Sequence, residues 1–159
     1  MKDLHSETAE KFFDRMGDVT AGMLMTGDDH HIPMSHYADA EEGVIWFITA
    51  KGTAADQAAI EKRNVNYLIA DSGAKLYADV RGTLHEVNKP GKLDELWSRA
   101  AGAWFEDGRD DPDVRLLCLR PTHAEVWLTE GGAKFLYEIA RAHTSGKTPD
   151  LGEREVITF

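Results

Sequence analysis

Short apolar runs, several of them alternating with polar residues, fill most of the chain and are separated by turn-forming residues. These runs predict strands over the following ranges: 19–26, 31–37, 44–49, 64–70, 75–87, 114–119 and 124–128. Helical spacing is rarer, and it predicts helices over 6–16, 53–62, from Pro90 to about Phe105, and 132–143. The tail ends in a further β-like run.

The spacing of the predicted strands favours an antiparallel sheet. The connections at 27–30, 39–43 and 71–74 have hairpin length and do not fit a parallel doubly wound sheet. Gly82, inside a long alternating strand, predicts a bulge or a barrel bend. We therefore expect one domain over 1–159, a closed or partly closed antiparallel barrel with helical insertions. Its core spans about 19–129, and a C-terminal helix and tail follow over 131–159.

Composition and charge narrow the classes of function. The chain has 159 residues, of which 42% are hydrophobic and 29% charged, as in ordinary globular domains. Its formal net charge of -10 disfavours contact with nucleic acid or an anionic membrane. No apolar run approaches the roughly 20 residues that span a bilayer, and the charged N-terminus lacks a signal core. We expect a cytoplasmic protein.

The segment from Val44 to Ile60 contains the strongest candidate for a binding site. An apolar strand runs into the loop Thr49-Ala50-Lys51-Gly52-Thr53, and an alanine-rich helix follows. Two hydroxyls, one ammonium group and the start of a helix suit a bound phosphate. The alternative interpretation is a strand, a turn, and Thr53 as an ordinary N-cap.

The remaining polar clusters do not indicate a metal site or a nucleophile. Strand alternation places His31 and His36 on opposite faces, so the histidines should not converge on one metal. The acidic segment 106–113 lacks the ligand pattern of a calcium-binding loop. Cys118, the single cysteine, lies in an apolar strand, where thiols are usually inert. The catalytic residues stay unassigned.

Aromatic residues directly precede the candidate loop, and another lies later in the chain. Trp46 and Phe47 precede it, and Trp104 lies near the end of a predicted helix. Core packing is the ordinary explanation for such residues. A strand that borders an opening could instead provide apolar walls and backbone groups for a flat heteroaromatic ring. Because the neighbouring loop suits a phosphate, the two features together predict a flat cofactor that carries a phosphate.

Six segments, in this order and spacing, resemble the pyridoxamine-phosphate-oxidase-like general stress proteins. The segments are Met23 to Thr26, His31 to Met34, Gly43 to Thr49, Tyr77 to Leu84, Leu96 to Pro112, and Pro121 to Leu128. The resemblance implies a mainly β fold, a six-stranded antiparallel split barrel that binds FMN, with peripheral helices. It also implies a homodimer with the cofactor in clefts between the subunits.

The resemblance also implies which residues bind the cofactor: His31, Met34, Trp46, Phe47, Ile48, Thr49, Thr53 and Trp104. Lys51, whose position is not the family's, is a further candidate by its charge. His31 matches a position often occupied by a phosphate-binding arginine. The family commonly has a lysine two residues after the second hydroxyl, where this chain has Ala55, followed by Asp56. A carboxylate beside a phosphate would repel it, so we expect Asp56→Lys to strengthen binding. FAD or another flavin stays an alternative to FMN.

By resemblance, the expected function is that of an FMN-dependent oxidoreductase of unknown substrate in stress physiology, with NAD(P)H as a candidate electron donor. The redox chemistry would belong to the flavin, and the protein would position it. The alternative is a flavin-binding protein without turnover, which serves as a sensor or scavenger.

Overall fold

The computed structural model describes residues 6–27, 29–97, 102, 105–130, 132–148 and 154–159. The helices are α1 (Glu7–Met16), α2 (Ala54–Ile60), α3 (Pro90–Leu96) and α4 (Gly132–Ser145). A 3-10 turn spans Gly108–Asp110. The strands are β1 (Gly22–Met25), β2 (His31–Met34), β3 (Tyr37–Asp39), β4 (Val44–Ala50), β5 (Asn64–Asp71), β6 (Leu76–Val87), β7 (Val114–Leu128) and β8 (Arg154–Thr158). Among the described residues, no helix combines the length and apolar character needed to traverse a bilayer.

All the strands form one antiparallel sheet, in the order β2-β1-β5-β6-β7-β4-β3, with β8 beside β7. This arrangement confirms the predicted antiparallel split barrel, although the sheet has eight strands among the described residues rather than six. The two runs at 114–119 and 124–128 were expected to be separate strands, but they belong to the continuous strand β7. A register shift between Arg81 and Gly82 places Gly82 opposite Pro121 and provides the predicted bulge.

The bulge requires a glycine. A Cβ at Gly82 would lie 2.1 Å from the carbonyl oxygen of Arg120. Proline has no N–H to give to a sheet, so Pro121 is tolerated where the ladder is already interrupted. The long strands β6 and β7 therefore bend together and continue past this point, which closes most of the barrel.

Helix α1 packs against the sheet, where it contacts β3, β6, β7 and β8. The Ser6 hydroxyl caps it by accepting the Ala9 N–H at 3.1 Å, as expected for a serine at this position. Phe12, Phe13 and Met16 lie on its buried face. Their side chains join the main core, which also includes apolar residues of β1, β4 to β8 and α2.

The predicted strand 31–37 is divided into β2 and β3 by Ser35 and His36. His36 is buried, and its Nε2 lies 2.9 Å from the Met16 carbonyl oxygen. Its Nδ1 lies 2.6 Å from the Tyr67 hydroxyl. These contacts turn the chain inward between the two strands. In consequence β2 pairs with β1, whereas β3 pairs with the first half of β4.

Candidate functional site

The sheet order leaves β2 and the second half of β4 without a strand on one side in the described part of the chain. On β4, the pairing with β3 covers only Val44 to Trp46, and β7 occupies the other side. Within the described residues, β2 pairs with β1 alone. If the pairing of Tyr37 with Trp46 continued back along the chain, His31 would lie opposite Gly52. However, β2 pairs with β1 and not with β4. We call the gap between these two borders the split; the borders carry backbone N–H and C=O groups that pair with no strand among the described residues.

The 49–53 loop lies where β4 ends, at the border of the split. Gly52 has φ of 80°, in the left-handed region that a residue without a Cβ adopts readily. The Lys51 N–H donates to the Asp113 carbonyl at 2.7 Å, and the Thr53 N–H donates to that of Ala50 at 3.3 Å. These bonds fix the loop against β7 and return the chain into α2.

The two threonine hydroxyls of the loop bond to each other and to the backbone. Thr53 Oγ1 donates to the Ala50 carbonyl at 3.0 Å and accepts the Asp56 N–H at 3.2 Å. The oxygens of Thr49 and Thr53 are 3.0 Å apart, and because the Thr53 proton is already used, Thr49 is the donor. A phosphate could therefore accept a hydrogen bond from either hydroxyl only after that hydroxyl rotates away from its present acceptor.

Asp56 has a role that the sequence interpretation missed. Its side chain is 1% exposed, so it does not face out of the loop toward a ligand. The carboxylate turns back, and Oδ2 accepts the Gly52 N–H at 2.9 Å. Thr53-Ala54-Ala55-Asp56 thus resembles a capping box, a spacing that the sequence contained. The buried position removes the reason for expecting Asp56→Lys to strengthen binding, because that lysine would be buried without an anion.

A family model described as pyridoxamine 5'-phosphate oxidase like matches residues 7–150. The chain belongs to this family. A search of curated proteins finds no match.

Solved structures agree with the family. A general stress protein 26 from Jannaschia sp. CCS1 has 46% identity and a TM-score of 0.87, over 96% of this chain and 99% of that one. A general stress FMN/FAD binding protein from Xanthomonas citri has 33% identity and a TM-score of 0.68, over 77% and 89%. A general stress family protein from Xanthomonas campestris pv. campestris has 32% identity and a TM-score of 0.69, over 83% and 93%.

Within this pyridoxamine 5'-phosphate oxidase-like protein, the aromatic side chains of β4 are packed inside. Phe47 is fully buried, and its ring centroid lies 5.0 Å from that of Tyr67. Trp46 is 2% exposed on the other face of the strand, beneath the ammonium groups of Lys89 and Lys92. Neither ring offers a face to a ligand, so stacking on them is not available. The groups that β4 can present to the split are those of its backbone.

The other predicted site residues differ in their accessibility. His31 and Lys51 are exposed; His31 begins β2, and Lys51 follows the end of β4. Ile48, on the face of Trp46, is half-buried. Met34 is buried in the core, and its carbonyl oxygen lies 2.7 Å from the Tyr67 hydroxyl oxygen. Trp104 lies outside the described residues.

The histidines do not form a metal centre in the described part of the chain, where no three His, Cys, Asp or Glu side chains converge. His31 faces solvent, whereas His36, in the break between β2 and β3, faces the core. Burial lowers the pKa of His36 and raises the pKa of Tyr67. Both groups are therefore uncharged near neutral pH and act as core polar residues.

Proposed function

We propose that this protein binds a flavin mononucleotide or dinucleotide in the split and acts as a flavin-dependent oxidoreductase. The observation that carries the proposal is the pair of unpaired strand borders next to a loop with two hydroxyls and a lysine. Unpaired N–H and C=O groups suit the polar edge of an isoalloxazine ring. The Xanthomonas citri relative, described as FMN/FAD binding, supports a flavin as the ligand.

In this proposal the phosphate is held at the 49–53 loop. Lys51 and His31 provide the cationic or proton-donating groups, and both are exposed. Thr49 becomes a donor to the phosphate when its hydroxyl turns away from Thr53. The bound flavin supplies the redox chemistry, and the residues of this chain orient it and exclude water from the covered ring edge.

We also propose that two copies of the chain form a homodimer. Met23 and Leu68 are cross-strand neighbours on the outer face of the sheet and are 40% and 37% exposed. On α4, Leu136 and Tyr137 are 68% and 63% exposed, whereas Glu138 is 4% exposed. A helix that turns its acidic residue inward and its apolar residues outward is typical of one that packs against a partner. A second copy would cover these surfaces and complete the cleft.

The experiment that tests the ligand is a titration of the purified protein with FMN and with FAD. We expect quenching of the flavin fluorescence and a retained flavin absorption band after gel filtration. Lumichrome, which has a related ring without ribityl phosphate, separates ring recognition from phosphate recognition. Absence of binding by all three compounds would refute the proposal.

A flavin binder without turnover is the second candidate. Among the described residues of β2, the second half of β4 and the 49–53 loop, the ionisable side chains are those of His31 and Lys51. The structure shows no ion pair or hydrogen bond between either side chain and a described carboxylate or thiol. Anaerobic mixing of the flavin complex with NADH or NADPH distinguishes the two candidates. Bleaching of the flavin band supports the oxidoreductase, and an unchanged band with both donors supports the binder.

A further inference from the structure

The face of the sheet turned away from the main core carries hydrogen-bond donors that the proposed flavin site does not use. On β6, Thr83 and His85 alternate with the core residue Leu84, so their side chains lie on this outer face. Both are half-buried, and Thr83 Oγ1 lies 2.8 Å from His85 Nε2. The hydroxyl and the imidazole are therefore held side by side.

The strands on either side of β6 add two more donors. Asn64 on β5 and Arg120 on β7 are the cross-strand partners of Thr83. Residues directly opposite one another point to the same face, with Cβ atoms about 5 Å apart. Asn64, Thr83 and Arg120 therefore form one row across three strands, and the two outer members of this row are exposed.

Lys62 continues this arrangement beside His85. The Leu84 N–H donates to the Arg63 carbonyl at 3.1 Å, so the ladder between β5 and β6 extends one residue beyond Asn64. Lys62 is the next residue and is exposed. Its charge reaches the imidazole, because Lys62 is one of the groups that lower the pKa of His85. We call this set the donor cluster; its members are Lys62, Asn64, Thr83, His85 and Arg120.

No member of the donor cluster is acidic, although the chain has 28 acidic against 18 basic residues. Among the described residues, no carboxylate forms an ion pair with Lys62 or Arg120. The carboxylates of Asp79 and Glu61, which are near the cluster in sequence, pair with arginines outside it. The positive charges of the cluster therefore lack a counter-ion in the part of the chain that the structure describes.

Without a counter-ion, the charges of the cluster repel one another. Burial is the largest effect that lowers the pKa of His85, and repulsion from the arginine and the lysine of the cluster lowers it further. Cys118, opposite His85 on β7, is buried, and burial raises the pKa of its thiol, so it is uncharged near neutral pH. Glu42 and Lys89 act on that thiol with opposite signs. An anion bound among the donors would remove the repulsion.

We propose that the donor cluster binds an oxyanion with two negative charges, either inorganic phosphate or the phosphate group of a small monoester. The Arg120 guanidinium provides two parallel N–H donors for two phosphate oxygens, and Lys62 provides a compact positive charge. The Thr83 hydroxyl and the His85 imidazole, on the strand between them, provide donors at the sheet surface.

This site is separate from the loop proposed for the flavin phosphate. Thr49 of that loop pairs with Arg115 on β7. Strand geometry puts Arg115 about 17 Å from Arg120. Because side chains alternate along a strand, the two arginines also lie on opposite faces of the sheet. One phosphate cannot contact both places, so the donor cluster takes a ligand of its own.

The test uses the full chain without added flavin and follows the His85 imidazole by NMR during titration with sodium phosphate at constant ionic strength. We expect a saturable shift of the His85 signal and a higher pKa for this imidazole, because a bound dianion stabilises its charged form. Sodium chloride at the same ionic strength should produce neither effect. Titration with glycerol 3-phosphate separates the two sources of the anion. Tighter binding than phosphate assigns the site to a monoester, and equal or weaker binding assigns it to the free anion.

Two variants test the contribution of the guanidinium. Arg120→Gln removes it and should weaken phosphate binding about tenfold. Arg154→Gln is the matched control, since Arg154 is an exposed arginine on β8 outside the cluster, and it should leave the affinity unchanged. A His85 signal that phosphate does not shift, or equal phosphate affinity of the two variants, would overturn the proposal.

The same variants keep the donor cluster distinct from the proposed flavin site. Arg120→Gln should leave FMN binding unchanged. Loss of FMN binding in this variant would place the flavin phosphate at the donor cluster and overturn the proposal of a separate site. Absence of FMN binding by the wild type, together with the expected response to phosphate, would refute the flavin site and leave the oxyanion site standing.

Discussion

The Thr53 hydroxyl makes three of the contacts that hold the 49–53 loop, and its removal tests their contribution to stability. Thr53→Ala deletes the N-cap bond to Asp56 N–H, the bond to the Ala50 carbonyl and the contact with Thr49. Thr53→Ser keeps the oxygen and removes only a methyl group from a half-buried position. The serine variant is therefore the matched control.

The expected loss follows from these contacts. An N-cap replaced by alanine usually costs about 1 kcal/mol, with a range of about 0.5–2 kcal/mol. The bond to Ala50 adds about 0.5–1 kcal/mol, reduced because water can reach this half-buried loop. We expect Thr53→Ala to lower the free energy of unfolding by about 1–2 kcal/mol and Thr53→Ser by less than about 0.5 kcal/mol.

Equilibrium unfolding in urea, followed by tryptophan fluorescence, measures both values. Trp46 is buried and should report the transition. The proposed phosphate site adds a second readout, since Thr53→Ala should weaken FMN binding by about 1 kcal/mol and Thr53→Ser should not. Equal midpoints for the alanine and serine variants, with equal slopes, would show that the hydroxyl neither caps α2 nor holds the loop.

Three further changes test other parts of the structure. Gly82→Ala should destabilise by about 3 kcal/mol, because its Cβ would meet the Arg120 carbonyl, whereas Gly91→Ala, with open space around it, should unfold like the wild type. Burial lowers the pKa of His36 below 6.5, so the unfolded chain binds its proton more readily. Stability should therefore fall as the pH drops below about 6.5 in urea titrations, and His36→Gln should flatten this dependence. Tyr137→Glu should shift the proposed dimer toward monomer in sedimentation velocity experiments, and an unchanged sedimentation coefficient would exclude α4 from the interface.

The hydrophobic pattern predicted most of the strands, because the apolar runs have the length of strands and several of them alternate with polar residues. It divided β7 in two, since Pro121 interrupts the run and only the opposing Gly82 shows that the strand continues. It joined β2 to β3, since the inward turn depends on contacts of His36 with Met16 and Tyr67, which are distant in sequence. Long-range pairing of this kind has no local signal.

The sequence predicted where the candidate site lies in the chain, but not how its side chains are hydrogen-bonded. Thr49, Lys51 and Thr53 do form a loop at the end of β4. The sequence could not show that the hydroxyls bond to each other, because their rotamers depend on the fold of the loop. It also placed Asp56 toward a ligand, although the Thr-x-x-Asp spacing favours a carboxylate that folds back onto the backbone.

The first helix and the last strand meet although they are far apart in sequence. The Thr8 hydroxyl donates to a Glu155 carboxylate oxygen at 2.7 Å, and the Phe159 ring packs edge-on against those of Phe12 and Phe13. While the ribosome is still adding residues 154–159, the rings of α1 and the flank of β7 are unshielded. Nascent chains should therefore be vulnerable to aggregation and to chaperone capture until residues 154–159 are available, and a pause before that point would prolong the exposure.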